Sequence, residues 1–337
     1  MNNNYLVSIC VPIYNVEKYI ERCANSLFEQ TYDNIEFVFI NDCTPDKSIE
    51  ILKETLDNFP HQKEHVKIIN HETNKGIAVV RNSMINHCSG DFVFFVDSDD
   101  YIDKETISIL VERQKKTMAD IVSCHTIKHT NSGTLFYKEP EYPHNEGMLI
   151  FLLSQMYHHE MFGRLIRRSL FTHYNIHAKE GVNVGEDWQF MSQLVYYCHN
   201  ISLSNHYLYH YNCMNANSYM AQKTSTHLNE EFIKQDIQAI LAIIEFFDNK
   251  ERKYRQIITQ TGLRFCHEIM DKCIVLTNKT LFNHVSIILN SDPYSFYRHW
   301  WQRQIDNSYL LYKTIYYLRY LKAGIIYKYK QFFFNKL

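Results

Sequence analysis

LVSICVPIY at Leu6–Tyr14 is a short apolar run rich in β-branched residues, and the segment after it, Val16–Phe28, repeats apolar residues at helical spacing. The two segments predict a strand followed by a helix. The same order recurs three times, in Glu36–Ile40 with Lys47–Phe59, Val66–Ile69 with Ile77–His87, and Asp91–Val96 with Lys104–Thr117. This alternation predicts βαβ units, and therefore an α/β fold with a Rossmann-like, mostly parallel sheet flanked by helices.

The pattern changes in the second half of the chain. From about Ile121 it is mixed, with helices expected near Gly147–Tyr157 and Asp187–Tyr197 and β-like runs at Ile201–Leu203 and Tyr207–Tyr211. After Tyr219 the apolar spacing is helical, in segments near Leu228–Phe247, Tyr254–Cys273, Thr280–Asn290 and Ser308–Phe334. We place a boundary near Ala221–Thr226, which divides the chain into an α/β domain at 1–220 and a C-terminal helical region at 221–337.

Length and composition limit the classes of protein to which the chain can belong. With 337 residues, 45% of them hydrophobic, it can bury the core of one large domain and a smaller appended one. The nine cysteines show no C-x-x-C pair and Met1–Tyr5 lacks the basic residues of a secretory signal, so we expect reduced thiols in a cytoplasmic protein. Acidic residues crowd the first hundred positions and would repel a phosphate backbone, which argues against nucleic-acid binding.

Three carboxylates, Asp97, Asp99 and Asp100, directly follow the apolar run that ends at Val96. Ligands of such sheets bind beyond the carboxyl ends of the strands, so we expect these side chains to be exposed together at that edge. A hard cation such as Mg²⁺ or Mn²⁺ would offset their mutual repulsion. A cation that bridges Asp99 and a nucleotide diphosphate would stabilise the diphosphate as a leaving group. The alternative is an acidic N-cap for the helix near Lys104.

Polar and aromatic residues also follow the first two strands. Asp42 ends the second strand and could accept the imide hydrogen of a uracil ring. Pro12 and Tyr14 could form the apolar wall against which such a base lies. Asn15 is expected to cap the next helix. These residues predict a nucleotide site at the same edge of the sheet as the three carboxylates.

A second acidic pair, Glu186 and Asp187, lies far along the chain, in a Gly-Glu-Asp-Trp stretch that ends at Trp188. Acidic residues are common in the first turn of a helix, so the pair could have only that role. The face of Trp188 suits the apolar side of a sugar ring, and an acceptor hydroxyl needs a base, for which Asp187 is the choice. Arg81 points to the same edge of the sheet and could pair with the nucleotide or hold Asp97.

Several motifs resemble those of glycosyltransferase family two, in the order that the family shows. They are Val7–Ile20, Gln30–Glu36, Asn74–Asn82, Gly90–Ile102, Gly163–Phe171, Gly185–Trp188, and Tyr209–Tyr211 followed by Ser218. The resemblance covers residues 6 to about 220 and is specific because separate motifs occur in one order. The chain departs from the family at Cys43-Thr44, where Gly-Ser is common, and at Arg164, where Lys is common.

The resemblance implies a GT-A fold and an inverting, metal-dependent transfer from a nucleoside-diphosphate sugar, with a UDP-sugar as the expected donor. By motif, Asp42 contacts the base, Asp97 and Asp99 form the D-x-D and hold the metal, and Ser98 lies beside the donor. Asp187 is the general base, with Glu186 as the nearest substitute. The expected acceptor is a glycan or a lipid-linked glycan in cell-surface polysaccharide synthesis.

The C-terminal tail lies outside the resemblance. In Tyr309–Phe334, Lys and Arg alternate with bulky apolar residues, and no apolar run reaches the ~18 residues of a membrane-spanning helix. Such a helix suits peripheral contact with the inner face of a membrane, or ordinary packing against the protein.

Two alternatives belong to other classes of activity. A nucleotidyltransferase would normally carry a Gly-rich phosphate loop after the first strand, and Val11–Val16 has none. A nucleotide- or glycan-binding module could use the same fold without turnover. The intact Asp99 and Asp187 argue against that second alternative.

Overall fold

The computed structural model describes residues 4–142, 144–154, 159–215, 218, 230–275 and 278–290. The chain separates into two compact units, residues 1–246 and 247–337. The boundary expected near Ala221–Thr226 and the tail at Tyr309–Phe334 lie outside the described residues, so both remain predictions.

The first unit alternates strands and helices. It begins with β1 (Val7–Ile13), α1 (Ile20–Phe28), β2 (Ile35–Asn41), α2 (Ser48–Asp57), a 3-10 helix (Pro60–His65), β3 (Val66–Asn70), α3 (Ile77–His87), β4 (Phe92–Phe95), β5 (Tyr101–Ile102) and α4 (Thr106–Thr117). It continues with β6 (Ile121–Thr130), β7 (Gly133–Tyr137), α5 (Asn145–Ser154), β8 (Arg164–Arg167), α6 (Arg168–His173), α7 (Glu186–Tyr197), β9 (Ile201–Asn212) and α8 (Glu230–Phe246). In the second unit, the described residues form α9 (Arg252–Val275) and α10 (Lys279–Asn290).

One nine-stranded sheet organises the first unit, in the order β3-β2-β1-β4-β8-β6-β9-β5, with β7 paired to β6. The first four strands of this order are parallel, and β8 then runs antiparallel to both β4 and β6. The predicted α/β fold with C-terminal helices is therefore confirmed. The carboxyl ends of β1, β2 and β4 lie at one edge, where the first predicted site residues follow them.

The core explains why the central strands form where the sequence is almost continuously apolar. Both faces of β1 and β4 are covered, so nearly every side chain of these strands is buried. Phe28 of α1 packs edge-on against Phe37 and Phe39 of β2, with ring centroids 5.1 and 6.2 Å apart. These contacts fix α1 against the sheet.

Some elements differ from the sequence prediction. Helix α1 begins at Ile20 rather than Val16, and β9 is one strand where two runs were expected. Its polar middle, Ser204–His206, interrupts the apolar pattern, while register shifts around His125 keep it paired with β6. Strand β7 was missed because it is mostly exposed and carries no alternating pattern. Among the described helices, none combines the length and apolar character needed to cross a membrane.

Gly185, at the start of α7, provides a test of packing. Its φ is +79°, and an added Cβ would lie 2.9 Å from the Cβ of Ala239 in α8. Gly181 has the same φ of +79° with open space around it. We expect Gly181→Ala to lower the free energy of unfolding by about 1–2 kcal/mol. Gly185→Ala should lose about 1–3 kcal/mol more through overpacking. Urea denaturation of both variants measures the difference, and equal losses would contradict the close packing of α7 and α8.

Candidate active site

Asp42 anchors the loop that leads into α3. Its side chain is buried, with Oδ1 2.7 Å from Nδ1 of His71, and its carboxylate accepts backbone N–H bonds from Lys75 and Gly76, each at 2.9 Å. Asp42 therefore shapes the loop after β3 from the end of β2. These bonds already engage both carboxylate oxygens of Asp42. Its contact with a base remains a prediction.

Tyr14 and Pro12 lie at the end of β1, as expected. Tyr14 is 47% exposed and Pro12 is half-buried, so both are accessible to a ligand. Asn15 does not cap α1, because that helix begins five residues later. Instead Asn15 has a φ of +57°, which Asn tolerates better than most residues, and its N–H donates to Oγ1 of Thr44 at 2.8 Å. The capping prediction for Asn15 was wrong.

The turn after β4 is held by β9. The Tyr209 hydroxyl donates to Oδ2 of Asp100 at 2.7 Å and accepts the N–H of Asp97 at 3.1 Å. Asp100 also accepts the N–H of Asn212 at 2.7 Å and is 0% exposed. The expectation that all three carboxylates are exposed together was therefore wrong for Asp100, which fastens the turn internally. Ser98 is 5% exposed, and its donor contact remains a prediction.

Asp99 points toward the segment that follows β9. Its Oδ2 accepts a hydrogen bond from Nδ2 of Asn215 at 2.8 Å, and its backbone carbonyl accepts one from Arg22 at 3.1 Å. Burial raises the pKa of Asp99, the Asn215 bond opposes that rise, and Asp97 adds to it. A cation beside Asp99 would stabilise the ionised form of this carboxylate.

Arg81 of α3 connects the two acidic pairs that are far apart in sequence. Its Nη2 lies 3.4 Å from Oδ1 of Asp97 and 3.2 Å from Oδ1 of Asp187, while its Nε lies 3.4 Å from Oε1 of Glu186. The Arg81 side chain is only 4% exposed. Its Nη1 is buried without a hydrogen-bond partner in the described part of the chain. One guanidinium thus faces three carboxyl groups.

The electrostatics of this cluster suit a base. Burial raises the pKa of Asp187 well above its ordinary value, Arg81 opposes the rise, and Glu186 and Asp97 add to it. Burial likewise raises the pKa of Glu186, again against the influence of Arg81. Burial lowers the pKa of Arg81, but its carboxylate neighbours outweigh that effect and raise it overall, so the guanidinium stays charged. A carboxylate with a raised pKa is a stronger proton acceptor once ionised.

Local structure explains how α3 and α7 meet at this point. A Cβ on Gly76 would overlap the side-chain amide of Asn183, so only glycine allows this approach at the start of α3. The Oδ1 of Asn183 accepts the N–H of Ala78 in the first turn of α3 at 3.2 Å. The loop before α7 therefore caps α3, and this contact places Asp187 beside Arg81.

Trp188 lies inside the protein. It is 2% exposed, its ring stacks on His159 at 4.9 Å with a 7° interplanar angle, and its Nε1 donates to the Leu152 carbonyl at 2.8 Å. In this position Trp188 offers no free face to a ligand, which removes the reason for predicting a sugar contact there. Trp188 instead fixes the first turn of α7, which carries Asp187.

The acidic pair beside β4 fits a hard divalent cation, since Asp97 and Asp99 provide carboxylate oxygens. The described residues show no group of three or more His, Cys, Asp or Glu side chains that could hold a metal by themselves. A cation here would therefore need oxygens from other sources, such as a diphosphate.

Sequence reasoning missed Arg22 and Asn215 and read Tyr209 only as part of a motif. Arg22 sits on a helix face without any special spacing. Asn215 follows a strand whose pairing with β6 could not be read from the pattern. The Tyr209-His-Tyr211 motif was a usable signal for a residue that contacts the turn after β4.

Comparison with known proteins places these features in a family. Residues 8–174 match the family model described as glycosyl transferase family 2. Over 193 residues the chain is 33% identical to the uncharacterized glycosyltransferase EpsJ of Bacillus subtilis, which is 55% of this chain and 54% of EpsJ. The chain thus spans only about half the length of that relative.

Solved structures share the fold. The chain resembles Staphylococcus aureus TarS 1–349 in complex with UDP-GlcNAc with a TM-score of 0.65 and 23% identity, over 86% of this chain and 82% of TarS 1–349. The mannosyltransferase PcManGT of Pyrobaculum calidifontis, in complex with GDP-Man and Mn²⁺, gives a TM-score of 0.55 at 14% identity, over 93% of this chain and 87% of PcManGT. The family match over residues 8–174 and the relatives that are named as glycosyltransferases make the chain a member of glycosyltransferase family 2, and the solved structures show that it has the expected GT-A fold.

Proposed function

We propose that the chain is an inverting, metal-dependent transferase that moves a hexosyl or N-acetylhexosaminyl group from a UDP-sugar to a hydroxyl of a glycan or lipid-linked glycan. The observation that carries the proposal is the Arg81 cluster, which joins a carboxylate of the D-x-D to the Glu186–Asp187 pair. A single displacement needs both a site for the leaving diphosphate and a base on the opposite face of the sugar. Arg81 brings one residue of each site within 3.4 Å of the same guanidinium.

The donor side is formed by the ends of the parallel strands. The exposed Tyr14 and the half-buried Pro12 would form the apolar wall for the base, and Asp42 at the end of β2 would contact it. Asp97 and Asp99 would hold Mg²⁺ or Mn²⁺, which supplies charge neutralisation for the departing diphosphate. The buried Nη1 of Arg81 is a further donor for an anionic oxygen. The similarity to TarS, solved with UDP-GlcNAc, supports a UDP-sugar, and that to PcManGT, solved with Mn²⁺, supports a metal.

The acceptor side is formed by α7. Asp187 takes the proton from the acceptor hydroxyl as that oxygen attacks the anomeric carbon, and the Met161 N–H holds its Oδ2 at 3.4 Å. Glu186 lies beside it but is engaged by Nε of Arg81. The raised pKa of Asp187 favours turnover over the alternative of a binding module, because simple binding does not require a tuned base.

The acceptor class rests on relatives and on the tail. The TarS relative, 27% identical over 260 residues, is named a poly(ribitol-phosphate) β-N-acetylglucosaminyltransferase, which supports a cell-surface polymer as acceptor. The basic, aromatic sequence of the tail supports peripheral contact with the inner membrane face. We propose a cytoplasmic protein that works at that surface.

The first prediction from this proposal concerns Arg81. Arg81→Met leaves three carboxylates without a counter-ion and should lower the free energy of unfolding at pH 8 by about 3–5 kcal/mol. Losing Arg81 raises the folded-state pKa values of Glu186 and Asp187 further above their unfolded values. Stability from such groups is present below the unfolded pKa and is lost as pH rises through the folded pKa. The deficit should therefore shrink from pH 8 toward pH 5.

Urea denaturation across that pH range measures this effect. Arg113→Met is the control, because Arg113 is exposed and its Nε donates to a neutral partner, the hydroxyl of Ser202. A deficit for Arg81→Met that stays constant with pH would contradict the charge argument.

The second prediction separates the two acidic sites. Asp187→Asn keeps the shape and removes the basicity, so donor affinity should survive while turnover falls by roughly two to four orders of magnitude. Asp99→Asn should weaken donor binding in Mn²⁺ as well as abolish transfer. Calorimetry with UDP and a UDP-release assay measure the two effects. An equal loss of donor affinity in both variants would place Asp187 in the donor site and leave Glu186 as the candidate base.

The third prediction concerns the tail. Truncation after Asn307 removes the basic aromatic segment and should shift the protein from anionic liposomes to the supernatant in a low-salt sedimentation assay. Zwitterionic liposomes are the control. Equal sedimentation of the full and truncated chains with anionic liposomes would exclude this membrane role.

A further inference from the structure

We infer that Asn215 is an oxygen ligand of the divalent cation, reached when its side-chain amide turns over beside Asp99. This inference rests on the proposed metal-dependent function. In the structure, Nδ2 of Asn215 lies 2.8 Å from Oδ2 of Asp99 and donates a hydrogen bond to it. A rotation of the amide about χ2 exchanges its nitrogen for its oxygen at nearly the same place.

The spacing of the two side chains fits a shared cation. In an octahedral site with metal–oxygen distances of about 2.0–2.1 Å, neighbouring ligand oxygens lie about 2.9 Å apart. The Asn215 and Asp99 atoms already stand 2.8 Å apart. After the amide turns, both residues present oxygens at the separation of adjacent ligands, with no movement of the backbone.

The backbone around Asn215 is held in place. The Asn212 N–H donates to the buried carboxylate of Asp100 at 2.7 Å, and the Cys213 N–H donates to the His129 carbonyl at 2.9 Å. The Asn215 carbonyl accepts the N–H of Ser218 at 3.1 Å. Asn215 is itself 6% exposed. With its backbone held in this way, Asn215 can turn its amide oxygen to the place of its amide N–H while its Cα stays in place.

Charge also favours the exchange. Asp99 is a half-buried carboxylate that accepts the amide N–H of Asn215. A cation compensates the same carboxylate more strongly than a neutral donor does, so binding drives the N–H away and draws the amide oxygen in. The amide therefore serves Asp99 in both states, as a hydrogen-bond donor without metal and as a neighbouring ligand with it.

If Asn215 competes with the cation instead of binding it, removal of its side chain changes the Mn²⁺ affinity in the opposite direction. If the amide only competes with the cation for Asp99, its removal frees a carboxylate lone pair and Mn²⁺ binds more tightly. If the amide oxygen is a ligand, its removal weakens Mn²⁺ binding. The affinity of Asn215→Ala for Mn²⁺ distinguishes the two roles independently of transfer activity.

The experiment measures free Mn²⁺ by electron paramagnetic resonance during titration of the full chain, with and without saturating UDP. We expect Asn215→Ala to raise the Kd for Mn²⁺ by about tenfold or more. Asn215→Asp, which offers an oxygen in either rotamer, should bind Mn²⁺ at least as tightly as the wild type. Because the introduced carboxylate would repel Asp99, this variant should also melt at a lower temperature in chelator and recover when Mn²⁺ is added. Asn205→Ala, at an exposed position on β9, is the matched control.

The outcomes separate this inference from the proposed function. Loss of Mn²⁺ affinity in Asn215→Ala, with retention in Asn215→Asp and Asn205→Ala, supports the ligand role. Unchanged or tighter binding by Asn215→Ala, when Asp99→Asn has lost binding, overturns the ligand role and leaves the metal site intact. Absence of Mn²⁺ binding by the wild type with UDP overturns both.

Discussion

The interaction on which the site depends is the buried ion cluster around Arg81. One guanidinium, almost excluded from water, contacts carboxylates from the turn after β4 and from the first turn of α7. Without a cation these groups could not be ionised together in the interior, because desolvation and repulsion would both favour protonation. Arg81 offsets only part of that cost, as the raised pKa of Asp187 shows. The cluster is therefore electrostatically strained in the way that catalytic sites often are.

A second set of contacts makes the geometry precise. The hydroxyl of Tyr209 joins the N–H of Asp97 to the carboxylate of Asp100, so the turn after β4 cannot shift without moving β9. Phe162 stacks on the ring of Tyr209 at 4.4 Å and fixes that ring from the side. Asp100 thus supports the two neighbouring acidic residues and is itself kept away from solvent. The burial of each carboxylate therefore decides whether it supports the turn or remains available to a ligand.

The sequence predicted the parts of the molecule that depend on local patterns. The parallel β-α units follow from apolar runs at two periods, and the carboxylates after β4 follow from strand geometry, so both could be placed without coordinates. Residue roles were harder. The sugar contact of Trp188 was predicted wrongly because the sequence pattern of a helix start does not show that His159 stacks on its ring. Asn215 was missed because its distance from Asp99 depends on β9 lying beside β6 and β5, a pairing between distant segments that no local period encodes.

The position of β9 in the chain has a consequence for the order in which the protein is made. The strands β1 to β4 can pair as soon as they leave the ribosome, because all of them lie within the first hundred residues. Tyr209 and Asn215 are synthesised about a hundred residues later, after β6 and α7. Until then the turn after β4 lacks the hydroxyl of Tyr209, and before α7 is made Arg81 also lacks Glu186 and Asp187. A nascent chain can thus pair β1 to β4 before it completes the Arg81 cluster and the contacts of the turn after β4, and the long sequence separation of these contacts makes their formation a slow step in folding.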